Sequence, residues 1–182
     1  VVQLLTMPVS VSTLVWGKFL ASWIFAAAAL VLTFPFWLTV NYLGAPDNGV
    51  IAGSYLGSWV LAGCMLAISQ TMSALTKNQV IALVLAVIVN FLFFLSGVEY
   101  VLGFFRMFAP AAVVDMVASF SFLVHFGTIA GGLLEMRDVV FFVSVILLFN
   151  VTTILVVSFR TSGTSRWLKS TQASYYVLFF LL

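Results

Sequence analysis

The feature that most constrains this chain is where its charges are not. No charged residue falls between Lys18 and Asp47, Asp47 and Lys77, Lys77 and Glu99, or Asp138 and Arg160. Each interval holds at least the roughly 20 residues, most of them apolar, that carry a helix across a hydrocarbon core about 30 Å thick. Soluble domains carry charge at about one position in four. Here charged residues make up 7% of the chain and hydrophobic ones 64%, which excludes that class. The expected fold is an all-α, polytopic transmembrane helix bundle with spans at about 19–43, 50–75, 80–103 and 139–159. APDNG at 45–49 and TKNQ at 76–79 supply the turns between the first three, since proline, glycine and Asx residues favour reversals.

A fifth uncharged stretch, Met116 to Leu134, is less apolar: Ser119, Ser121, His125, Gly127, Thr128, Gly131 and Gly132 interrupt it. If it does not cross, Lys18, Lys77, Arg160, Arg166 and Lys169 share one side and only Arg106 and Arg137 lie opposite. Basic residues favour the cytoplasmic side, so the charges select four spans plus an outer-leaflet re-entrant helical hairpin over about 109–136, reversing near His125 to Gly132. Irregular backbone at that depth needs protein or water around it. Aromatic rings favour the interface, which places Trp16, Trp23 and Trp167 near the inner face and Trp37, Tyr42, Tyr55, Trp59 and Tyr100 near the outer one.

Catalytic chemistry has little to use. His125 is the only histidine, and no G-x-x-x-x-G-K-[ST] phosphate loop occurs. The lone Cys64 reads as a packing residue, and a net charge of +2 gives no case for nucleic acid. No metal or cofactor site is expected. Gln70, Asn90 and Asn150 lie inside expected spans, where interhelical hydrogen bonding and a substrate-facing surface are both open readings. Gly53 and Gly57 form a G-x-x-x-G pair suited to close helix approach. Pro35 is expected to kink the first span, and Asp138 to cap the last. His125 is expected to hydrogen-bond within the hairpin.

Two blocks go beyond composition. LLTMPVSVSTLVWGKFLA, Leu4 to Ala21, and HFGTIAGGLLEMRDVVFF, His125 to Phe142, resemble segments of type 2 ABC transporter permeases. The likeness is greatest to the gliding-motility and nitrous-oxide-reductase-accessory branch. That resemblance implies a six-span protein of which this chain carries the third to sixth, with both ends cytosolic in an inner membrane. It also implies a translocation path, with ATP and magnesium bound by a separate cytosolic ATPase. A second permease copy or paralogue and an accessory membrane protein would complete the assembly. Leu4, Leu5, Thr6, Pro8 and Val9 would then end a coupling helix facing the ATPase, with Lys18 at the cytosolic headgroups. Residues 1–18 form that coupling and interfacial segment, 19–160 the permease domain, and 161–182 a cytosolic linker leading into a further apolar run that stops short. Both ends read as those of a piece of a longer protein. The alternative from another class is a non-transport anchor of an envelope or motility complex.

Overall fold

The computed structural model describes residues 10–132 and 135–162, and over them the chain is helix and connecting turn. Short polar side chains start the helices. Ser10 accepts from the Thr13 amide at the head of α1, Val11–Val31. Pro35 has no N–H to give the Val31 carbonyl; the helix breaks at Leu32–Thr33 and restarts as α2, Phe34–Leu43. Asp47 caps α3, Asn48–Leu75, accepting from the Gly49 amide at 2.8 Å. Asn78 caps α4, Gln79–Leu95, and α5 follows at Glu99–Arg106. Pro110 precedes α6, Ala111–Ser119; Ser121 caps α7, Phe122–Ala130; α8 is Met136–Ser162.

Among the described residues three helical segments are long and apolar enough to cross a membrane: Val11–Leu43, Asn48–Leu75 and Met136–Arg160. The α6–α7 pair, bent by 58°, would make a fourth if counted as one span. At 1.5 Å per residue α3 and α8 exceed the roughly 30 Å core, and α4, with 17 residues, is about 26 Å long.

α3 is the central element and packs against α1, α4, α7 and α8. It runs antiparallel to α1–α2, as four ties along their length record. Gln70 Nε2 donates to the Val15 carbonyl, Trp23 stacks on Trp59, Thr33 meets Tyr55, and Trp37 Nε1 donates to Asn48 Oδ1. It runs parallel to α8: Cys64 donates to the Phe142 carbonyl, Thr71 to that of Phe149, and Arg160 to that of Leu75. Lys18, Lys77 and Arg160 consequently gather toward one end of the bundle, and Asp47 and Asp138 toward the other. The core between these helices is Phe19, Cys64, Ala67, Ile68, Phe122, Ile129, Phe142, Val145 and Ile146.

Several expectations need correction. The span expected over 80–103 is divided: α4 stops at Leu95, Ser96 Oγ donates back to the Phe93 carbonyl, and the chain turns before α5. Gly97 lies against Ser121 there, with no room for a Cβ. Asp138 does not cap α8; it lies in the first helical turn, buried against His125. Within the expected reversal at 125–132 the helix runs on through His125 to Ala130, and the turn falls at Gly131–Gly132, where Gly132 takes φ +83°, a region open to glycine; the unexpected feature is the break at Phe120–Ser121. Trp23 and Trp59 do not mark opposite interfaces: their rings stack at 4.5 Å in mid-bundle. Each indole N–H donates to the other residue's carbonyl, at 2.9 and 3.3 Å, so neither needs headgroup water.

Candidate functional site

α3 meets α7 through a strip of small residues. A Cβ on Gly53 would lie 2.5 Å from the Ile129 carbonyl oxygen, and one on Gly57 would press on Ile129 and Phe126. The G-x-x-x-G pair therefore serves an approach within the chain. Beside it, Ser54 Oγ donates to the carbonyls of Val50 and Ala130. Gly131 and Gly132 form the exposed turn after α7, Gly132 standing over Gly49 and Val50 at the head of α3.

Deeper in the bundle, polar side chains bridge helices. Gln70 ties α3 to α1. Thr71 and Thr153 share a 2.8 Å hydrogen bond across α3 and α8. Asn150 is wholly buried; its amide nitrogen donates to the Ile146 carbonyl while Oδ1 has no partner. Asn90 behaves similarly. Its Nδ2 donates to the Ala86 carbonyl at 2.8 Å and to Ser69 Oγ at 3.2 Å, leaving Oδ1 buried and unpartnered. Flipping the amide would set two oxygens face to face at Ala86, so the orientation is determined. Asn90 lines a cleft of about 890 Å³ between α3 and α4 with Met65, Ser69, Ser73 and Gln79. That is within the range of sites that take small molecules.

The second polar centre joins three helices. His125 Nδ1 is 2.6 Å from Asp138 Oδ1, and its Nε2 is 2.9 Å from the carbonyl oxygen of Ser119. The ring stacks on Phe141, centroids 4.0 Å apart, and Asp138 Oδ2 has no partner. This brings together the end of α6, the middle of α7 and the start of α8. Arg137, one residue before Asp138, is exposed.

Of the residues singled out from sequence, His125 and Asp138 meet, Gly53 and Gly57 face the same helix, and Gln70, Asn90 and Asn150 each point within the bundle. Lys18 is exposed on α1, two turns past its start. Leu4, Leu5, Thr6, Pro8 and Val9 lie outside the described residues. Sequence reasoning misses the Trp23–Trp59 pair, the Thr71–Thr153 bond and the tight site at Gly97. A threonine or tryptophan in an apolar run does not announce its partner; Gly97 beside Ser96, at the end of a charge-free stretch, is a usable stop signal. Among the described residues no cluster of three or more His, Cys, Asp or Glu could hold a metal ion. No protein-family model, curated protein or solved structure matches the chain.

Proposed function

We propose that this chain is a transmembrane permease subunit of an ATP-driven ABC exporter, contributing to the translocation path and coupled to a separate cytosolic ATPase. The observation that carries the reading is the pair of permease-like blocks, Leu4 to Ala21 and His125 to Phe142, in one helical chain. The histidine and aspartate of the second block, His125 and Asp138, meet at 2.6 Å, which gives that block a structural reason. The mainly apolar α3–α4 cleft, with Ser69, Ser73, Gln79 and Asn90 among its lining residues, is a candidate for part of a translocation path.

In the proposed topology the chain crosses four times and α6–α7 re-enters from the outer side. α3 and α8 run parallel, so the chain between them crosses an odd number of times. α4 supplies one crossing. α6 and α7, nine residues each, are about 14 Å long, half of the hydrocarbon core. α7 packs closely on α3 at Gly53 and Gly57, in the half of α3 that follows Asp47, as a segment returning to its own side would. The end bearing Lys18, Lys77 and Arg160 then faces the cytosol, within reach of the ATPase. Closure of the ATPase dimer moves the spans as rigid bodies between two access states.

The test is purification of the full-length protein from its own host in mild detergent. A stoichiometric P-loop ATPase should accompany it, and Lys18→Glu should uncouple hydrolysis from transport while leaving insertion intact. Stable complexes with envelope or motility proteins and no ATPase would favour the anchor reading instead.

A further inference from the structure

His125 stands between two acceptors. A carbonyl oxygen can only accept, so the nitrogen facing Ser119, Nε2, carries a hydrogen. A neutral imidazole then has no hydrogen left for Nδ1. The 2.6 Å contact to Asp138 must therefore hold a second proton. That proton sits either on the ring, facing a carboxylate, or on Asp138, facing the ring's lone pair. In both placements the pair is electrically neutral and holds one proton more than a neutral imidazole beside a carboxylate. Removing it sets lone pair against lone pair at one of the two contacts and leaves a net negative charge in an apolar site.

Among the described residues the surroundings offer that charge no relief. His125 and Asp138 are 5% and 3% exposed, walled by Phe141 and Phe142. On α3 the ionisable side chains are Tyr55, bonded to Thr33, and Cys64, bonded to Phe142. α4 has none. Glu99, Tyr100 and Arg106 of α5 are exposed, as are Asp115 on α6 and Glu135 just before α8. On α8 Arg137 is exposed and Arg160 lies at the opposite end, bonded to Leu75. Asp138 Oδ2 has no donor at all.

We propose that His125, Asp138 and the Ser119 carbonyl form a proton-operated latch. With the proton bound, the α6–α7 break is held to the start of α8; when it leaves, the three segments separate. In the open arrangement both side chains reach water, where an imidazole gives up its proton above about pH 6.5. Below that pH, open and closed forms hold the same number of protons and the balance does not move. Above it, closing takes up a proton, so each further pH unit shifts the balance toward the open form by up to about tenfold. The latch is a property of this chain and does not depend on the transport reading.

Asp138→Asn isolates the proton. An asparagine amide can donate to Nδ1 while Nε2–H still donates to Ser119, so the variant closes without the extra proton. Ser121, wholly buried at the break, becomes the reporter as Ser121→Cys in a Cys64→Ser background. Maleimide labelling is measured on the full-length protein in liposomes, once with Asp138 intact and once carrying Asp138→Asn. The first rate is divided by the second at each pH, which cancels thiol chemistry. Above about pH 6.5 the ratio should rise by up to about tenfold per unit; a ratio flat from there to about pH 8.5, two units beyond the imidazole's range, overturns the latch. Nitrogen-15 spectra of the single histidine give a second reading on the unmodified chain. At about pH 6, below the imidazole's ordinary range, they should show Nε2 protonated, and an unprotonated Nε2 would equally refute the proposal.

Discussion

Replacing Gly53 by alanine tests the α3–α7 seam with its own internal control. The new Cβ would come 2.5 Å from the Ile129 carbonyl oxygen and 3.4 Å from the Gly132 Cα. Ordinary C–H···O contacts are about 3.3–3.6 Å, so α7 must retreat by about 1 Å, and the obstacle is backbone, which cannot rotate aside. Overpacking of this kind costs about 1–3 kcal/mol, against a gain of up to about 1 kcal/mol from replacing glycine in a helix. The retreat also lengthens the 3.4 Å contact from Ser54 to the Ala130 carbonyl. A net loss of about 1–2 kcal/mol is expected. Gly17 is the control: a Cβ there meets nothing within 4 Å, so Gly17→Ala should be neutral or stabilising by up to about 1 kcal/mol. Reversible unfolding in mixed micelles, followed by tryptophan fluorescence, measures both. If Gly53→Ala proves as stable as Gly17→Ala, the close approach of α7 to α3 is wrong.

Three further substitutions probe the other ties. Trp23→Phe removes one interhelical hydrogen bond and weakens the stack on Trp59, costing about 1–2 kcal/mol; a double-mutant cycle with Trp59→Phe should show coupling, and strict additivity would separate the two rings. Thr71→Val keeps shape but removes the bonds to Phe149 and Thr153, for a loss of about 1 kcal/mol in the same unfolding assay. Asn90→Ala gives up the bonds to Ser69 and to the Ala86 carbonyl, which stays paired within the helix, while relieving a buried, unpartnered oxygen. Its stability should change by less than about 1 kcal/mol, whereas a large loss would mean that Oδ1 has a partner.

Helix existence was legible because charge spacing and lipid thickness are coarse, additive signals. The turns at 45–49 and 76–79 were legible too, but the caps that Ser10, Asp47 and Asn78 supply were not read, and the one cap expected, Asp138, lies inside the helix. Facing was not legible either. Where both faces of a helix are apolar there is no amphipathic stripe to orient it, so position along the chain alone sends Trp23 to an interface. Asp138 reads locally as a cap because its partner, His125, is met only after the chain has turned at Gly131–Gly132. Pro35 announces its break by the hydrogen bond it cannot make; the break at Phe120–Ser121 has no such residue and depends on Gly97 and Phe93 packing from α4 and the turn after it.

The proposed orientation puts the end of the bundle carrying Lys18, Lys77 and Arg160 in the cytosol, and cysteine accessibility reads it directly. In a Cys64→Ser background of the full-length protein, Ala45→Cys and Lys77→Cys report the two ends, one before α3 and one after it. Intact cells treated with a membrane-impermeant maleimide should label the cysteine at position 45, and that at 77 only after permeabilisation. Labelling at 77 but not at 45 in intact cells, or at both, would contradict the account.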